Sequence, residues 1–331
     1  MIDYEAFKFN FALMLKAIAA RNVELNCVGN TDIVEARLGA HVEYLVNYAT
    51  RLTPEVNAAI LRDKYYAKSI LAEKGFSVPP GFVFSATEIT AALTYAERLG
   101  YPVVIKPVNG AQGDSVFPNL VDEREFREAF QWISRKSQSR DILVEKYFDG
   151  DDYRFLVIAD KDLAVVKRSA PRVTGDGVST VQELIAVENY RRMNPRNTCL
   201  CEIHIKDEEG QRVLSHQGMT EESVPEKGQL VRLRYNANVS WGGDCENVLD
   251  TVHPSYLDLA RSIHALFPGN HFTCVDILAR DVTTPVSKDS YTFCEFNVDP
   301  GFSLHHMPGT GKPHLVLETI VDMLFPETAK C

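Results

Sequence analysis

The segment FTCVDILARDVTTPVSKDSYTFCEFNVDPGF, residues 272–302, holds two apolar runs separated by a polar loop. Val275, Ile277 and Leu278 in the first run, and Phe293, Phe296 and Val298 in the second, predict two strands joined across residues 282–289. Side chains alternate along a strand, so Glu295 and Asn297 point one way while Phe296 and Val298 point into the core. Asp276 is the lone acid of its run, and antiparallel pairing lets it face Glu295 and Asn297. Two carboxylates and an amide on one face suit a hard divalent cation such as Mg²⁺, which takes oxygen ligands. The plainer alternative is the solvent-facing side of a half-exposed sheet.

A second stretch, YPVVIKPVNGAQGDSV at 101–116, supplies charge of the opposite sign. Val103, Val104 and Ile105 form a buried-strand run, and Lys106 ends it where an unpaired cation is costly to bury. The loop that follows contains Asn109, Gly110, Gly113 and Ser115; its glycines let backbone N–H groups approach an anion closely. A strand-end lysine beside such a loop suits a phosphate. Lys64 in LRDKYYAK, Glu145 and Lys146 in ILVEKYFDGDDYR, and Asp152 nearby each read alone as ordinary surface or turn charges.

The whole chain sets limits on what that anion belongs to. Its 331 residues allow two or three domains, with 45% apolar and 24% charged residues, as in ordinary soluble domains. A net charge of −10 gives no overall field for nucleic acid or an anionic membrane, so a phosphate site has to be local. Seven scattered cysteines, an odd number, fit a reducing cytoplasm better than a disulfide framework. Cys199 and Cys201 have no second pair at zinc-site spacing. The N-terminus carries Asp3 and Glu5 without a basic start, unlike a signal peptide, and no apolar run reaches bilayer length.

Along the chain, FNFALMLKAIAARN (9–22) reads as an amphipathic helix, and residues 1–60 as a short helical and mixed region. One helix is expected through AAILRDKYYAKSILAEKG (58–75), then a strand near 81, a helix over 87–99, and a helix and strand across 123–148. That pattern predicts an α+β lobe with an antiparallel sheet. Further on, a hairpin turns at ADKD (159–162), a glycine loop runs into a helix from Thr180, and helices follow near Pro254 and over 314–325. Residues 186–232 give no clear pattern. PGTGKPH (308–314) evokes a P-loop, but position 306 is His where that motif needs glycine. His305, His306 and His314 are expected to face substrate or solvent.

The order of these parts resembles the ATP-grasp superfamily. The second half, through DDYRFLVI, VTGDGVSTVQELI, QGMTEESVPEKGQLVRLRYNANVSWGGD and EFNVDPG, is similar to the ATP-grasp region of cyanophycin synthetase and of bifunctional glutathione synthetase. The resemblance implies two α+β lobes with antiparallel sheets clasping ATP: a short N-terminal region (1–60), a central lobe (61–148) and a C-terminal lobe (149–331). It implies ATP with one or two Mg²⁺, or Mn²⁺ in their place. Lys64 and Lys106 would hold phosphates, with Gly110, Gly113 and Ser115 closing over them. Glu145, Lys146 and Phe148 would border the adenine, Asp152 the ribose hydroxyls, and Asp276, Glu295 and Asn297 the metal. Arg234, Arg168 and Arg154, in that order, are candidates for substrate carboxylate and oxyanion contacts.

The implied reaction joins a carboxylate to an amine of an amino acid or peptide through an acyl phosphate, releasing ADP and phosphate. The expected partners are those small molecules and, as an open case, a second copy of the chain. No counterpart of the Mur-ligase-like domain or of a glutamate–cysteine ligase domain is seen, so polymer synthesis by the same two-site route is not expected. Trp241 stands where a small residue is expected, which bears on the substrate end. Two alternatives stay open: an ATP-grasp kinase phosphorylating a hydroxyl, and an ATP-binding regulatory module without turnover.

Overall fold

The computed structural model describes residues 2–47, 49–108, 115–137, 140–194, 198–298 and 300–329. The helix Phe9–Ala19 forms as its periodicity predicts. A meander follows it, β1 (Glu24–Cys27), β2 (Ile33–Leu38) and β3 (His41–Val46), paired antiparallel in that order. These strands were not expected: β1 is largely exposed and shows no apolar face to read.

The single helix expected across 58–75 is two. Asp63 breaks it, accepting hydrogen bonds from the N–H groups of Tyr65 and Tyr66, both at 2.9 Å. The segments Glu55–Arg62 and Lys64–Glu73 result, so Lys64 becomes the first residue of a capped helix. Gly75, at a φ of 84°, ends the second.

Four strands then form a sheet: β4 (Gly81–Ser85), β5 (Val103–Pro107), β6 (Phe117–Leu120) and β7 (Asp141–Lys146), in the order β4-β7-β5-β6 and antiparallel throughout. Val103 and Ile105 of β5, and Ile142 and Val144 of β7, bury against Phe126 and Phe130 of the helix Glu123–Lys136. Each such apolar side chain contributes about 1.5–3 kcal/mol when fully buried. Alternation then leaves Val104, Lys106 and Glu145 on the opposite face.

The remaining strands are β8 (Asp151–Ile158), β9 (Asp162–Ser169), β10 (Arg172–Thr174), β11 (Leu230–Arg232), β12 (Asp244–Asn247), β13 (Phe272–Ala279) and β14 (Tyr291–Asn297). Five of them make one antiparallel sheet, β12-β9-β8-β13-β14, with the expected hairpin between β8 and β9. One face packs against Phe11, Met14, Leu15 and Ile18, so the N-terminal region is bound into this lobe. The other face packs against Tyr256 and Ile263 and also against Leu61, Ala67 and Leu71. Residues 61–73, expected in the central lobe, therefore share the core of the C-terminal sheet.

The unpatterned stretch after β9 contains an insertion with its own small core. Val173 and Val231 of the two-stranded β10–β11 sheet pack with Val181, Ile185, Ile203, Ile205, Leu214 and Leu233. Its helix Val181–Met193 begins at a reciprocal capping box between Thr180 and Glu183. None of the helices among the described residues is long and apolar enough to cross a membrane.

Candidate active site

A cleft of about 720 Å³ is lined by β5, β7, the segment 147–150 and residues from both the five-stranded sheet and the insertion. Nine basic and six acidic side chains line it among the described residues, in a chain whose net charge is −10. The cleft thus reverses the sign of the whole molecule, which favours an anion there.

Two lysines and one carboxylate form the most deeply buried charges of its wall. Lys106 and Glu145 lie on the same face of neighbouring strands, because Val104 is directly opposite Glu145 in the β5–β7 register. Lys106 Nζ lies 2.8 Å from Glu145 Oε2, and the other carboxylate oxygen pairs with Lys68. All three are less than a tenth exposed. Burial pushes the Lys68 ammonium down, only partly offset by Glu145, to about 8. At Lys106 burial acts the same way, but Glu145 outweighs it and the ammonium is held up. Burial raises Glu145 and the two lysines more than reverse that, so it stays ionised. Two cations sharing one anion leave positive charge uncompensated. Lys68 was not among the expected residues. Its signal was its position four residues after Lys64, one helical turn away.

Lys64 Nζ sits 3.4 Å from Glu295 Oε2, linking the start of its helix to β14. Glu295 lines the cleft, and its register partner on β13 is Asp276, as expected. Asp276 itself is fully buried. Arg154, its register partner on β8, donates from Nε and Nη2 at 2.8 and 2.7 Å. Arg168 Nη2 adds a bond at 2.8 Å and the Asn297 amide one at 3.0 Å. Burial works to raise this carboxyl, and the two guanidinium groups overcome it and hold it low. Arg168 also grips its cross-strand partner Asp152 at 2.7–2.9 Å. Burial pushes the Asp152 carboxyl up, opposed by Arg168 and reinforced by Asp276.

These placements give the expected residues partners that the sequence did not indicate. Glu145, expected at the adenine, sits among the lysines, because the strand pairing turns it toward Lys106. Asp276 has its oxygens engaged by arginines, so it is not an open ligand in this geometry. Arg154 lies beside Asp276 on the neighbouring strand, buried and off the cleft wall, whereas Arg168 does line the cleft. Arg234 is off the wall too: it donates to the His204 carbonyl at 2.8 Å and to Asp207 at 2.6 Å, with its guanidinium 4.3 Å from the Trp241 ring centre. Trp241, the departure noted in the sequence, supports that arginine.

Lys146, Phe148 and Asp152 line the cleft, with Lys146 Nζ also donating to the Gly100 carbonyl at 2.7 Å. Ser115 takes a φ of 60° just before β6. Gly110 and Gly113 fall outside the described residues. His305 is buried and not exposed, and burial lowers its imidazole to about 3 and keeps it neutral. His314 instead pairs with Asp162 at 3.0 Å. Among the described residues no three His, Cys, Asp or Glu side chains cluster as a metal site.

Comparison with known proteins agrees with this arrangement. Residues 63–175 match the family model described as carbamoyl-phosphate synthase L chain, ATP binding domain. The chain is 32% identical to a cyanophycin synthetase from Geminocystis herdmanii over 95% of its own length and 36% of that protein's. It is 36% identical to a glutathione biosynthesis bifunctional protein from Mannheimia succiniciproducens, over 96% of this chain and 42% of the relative. A crystal structure of a bifunctional glutathione synthetase from Pasteurella multocida superposes with a TM-score of 0.68 at 29% identity, covering 98% of this chain and 45% of that one. The chain therefore spans less than half the length of these relatives. With the two antiparallel sheets flanking one cationic cleft, these matches identify the chain as a member of the ATP-grasp superfamily.

Proposed function

We propose that the chain is an ATP-dependent carboxylate–amine ligase acting on an amino acid or peptide. The observation that carries this reading is the Lys68–Glu145–Lys106 cluster, whose excess positive charge faces a cleft that Glu295 also lines. Phosphoryl transfer asks mainly for positioning and charge neutralisation, and this wall supplies both. Lys106, Lys68 and Lys64 hold the phosphates; Lys146 and Phe148 border the base; Asp152 serves the ribose while Arg168 fixes its orientation.

The substrate carboxylate attacks the γ-phosphate, giving an acyl phosphate and ADP, and the amine then displaces phosphate to form the amide. Arg168 is the candidate best placed to donate to the developing oxyanion, since it alone of the three arginines lines the cleft. Asp276, itself held by Arg154, positions it. For the metal, oxygen donors of the right type sit two residues apart on β14: the Glu295 carboxylate faces the cleft, and the Asn297 amide, while its nitrogen donates to Asp276, keeps its oxygen as a donor. Glu295 and Asn297 would hold Mg²⁺, with Asp276 completing the set only by loosening its arginines. Bound there, Mg²⁺ would neutralise phosphate charge.

Pairwise screening of amino acids and dipeptides for ADP and phosphate release, with mass spectrometry of the products, tests the proposal. An amide product with free phosphate supports it. A phosphorylated product without free phosphate points to a kinase, and ATP binding with no turnover points to a regulatory module.

A further inference from the structure

Five of the nine basic residues of the cleft pair with a carboxylate, and Lys146 binds backbone carbonyls. Of the three arginines with no ion pair among the described residues, Arg280 lies over the Phe148 ring, and Arg172 and Arg232 stand together. Lys64, Lys68, Lys106, Lys167 and Arg168 each pair with a carboxylate. Arg172 on β10 and Arg232 on β11 make no ion pair among the described residues, although Asp149 and Glu246 line the same cleft. Arg172 and Arg232 are also exact register partners, directly opposite each other in the β10–β11 sheet. The next pair, Val173 opposite Val231, is buried in the insertion's own core. Alternation therefore turns both arginines to the other face, and that face is cleft wall: Leu230, two residues before Arg232, lines it as well.

Like charges directly opposite across a strand pair repel and destabilise the pair. Among the described residues no carboxylate pairs with either of them. Arg232 is moreover steered: its guanidinium lies 5.5 Å from the Tyr235 ring centre, and the Tyr235 hydroxyl is bonded to His216 Nδ1 at 3.1 Å. A carboxylate accepts two parallel bonds from a guanidinium fork, and two forks side by side match one carboxylate or a pair of them.

We infer that Arg172 and Arg232 form a second anion site of the cleft, which selects substrates carrying a carboxylate besides the one that reacts. The substrate class is thus an acidic amino acid or a peptide with a free acidic group. This rests on the ligase reading above and specifies its substrate.

The test uses aspartyl-alanine and glutamyl-alanine against asparaginyl-alanine and glutaminyl-alanine. Each is titrated calorimetrically into the protein with Mg²⁺ and a non-hydrolysable ATP analogue, and ADP release is followed in parallel with ATP and amine acceptors. The wild type should bind the acidic dipeptides about tenfold or more tightly than their amides. The Arg172→Ala, Arg232→Ala double variant should lose that preference while its affinity for the ATP analogue is unchanged. Because both residues are exposed, loss of folding is not expected, and circular dichroism checks it. A preference absent in the wild type, or surviving in the double variant, overturns the inference. So does an equal loss of affinity for the ATP analogue, which would put these arginines on the nucleotide. Acid-selective binding without ADP release from any acceptor pair would instead sink the ligase reading and leave the anion site standing.

Discussion

The two lobes each bury a cluster of charges beside the cleft, and the clusters are built differently. Beside the central sheet, Lys106 of β5 and Lys68 of the helix Lys64–Glu73 share the single carboxylate of Glu145 on β7. On the C-terminal sheet, Arg154 and Arg168 are matched by Asp152 and Asp276, two against two. The first is incomplete without an outside anion; the second is complete as it stands. A buried cluster left short of negative charge marks where a ligand is received, and a balanced one holds side chains in register.

The comparison yields predictions that separate the two clusters. Lys106→Ala should give the largest effect, a loss of turnover of about 10²–10³-fold with the fold retained, since it removes the buried cation that the proposal assigns to phosphate. ADP release and circular dichroism on the purified variant check this. Glu145→Gln and Asp276→Asn should each cost about 3–5 kcal/mol of stability by leaving buried cations short of an anion. Thermal melts then distinguish them: Mg-ATP should restore much of the loss in the Glu145 variant, whose missing anion it replaces, and little of it in the Asp276 variant. Equal rescue of both would erase the distinction drawn here.

A pH titration sharpens the same contrast. Lys68 titrates near 8 in the folded protein, below its unfolded value of about 10.4. Between those values the unfolded chain binds more protons, so this group's contribution to stability rises with pH across that window. Nucleotide affinity should move the other way, falling as pH climbs through about 8 and the ammonium is lost. Lys68→Met should flatten that alkaline limb, as nucleotide titrations at stepped pH would reveal. The smallest effect is expected at the insertion. Trp241→Thr should lower stability by about 1 kcal/mol through the lost contact with Arg234, leaving nucleotide affinity unchanged. A large drop in affinity would mean that Arg234 reaches the ligand.

Periodicity and end signals made much of the scaffold legible. The β13–β14 pair, with Asp276 able to face Glu295, was expected from two apolar runs and their alternation, and the β8–β9 hairpin from the apolar runs on either side of ADKD. The meander β1–β3 was not legible, because short exposed strands carry no periodic apolar face. The insertion was hidden for a different reason: its core draws single residues from segments sixty positions apart, such as Val173 and Leu233. In the site, residue types were readable but partners were not. Nothing in a linear sequence tells that Glu145 meets two lysines from different elements, or that Asp276 is claimed by arginines from two neighbouring strands. Arg172 and Arg232 escaped notice because their pairing depends on a crossover of nearly sixty residues.

The claim beneath all of this is that lysines of the central sheet and carboxylate oxygens of the C-terminal sheet converge on one nucleotide. Calorimetric titration of ATP with Mg²⁺ into the wild type, Lys106→Ala and Glu295→Ala tests it most directly. One site should be seen in the wild type, with affinity at least about tenfold weaker in each variant. Absence of binding to the wild type, or full affinity in both variants, would contradict it.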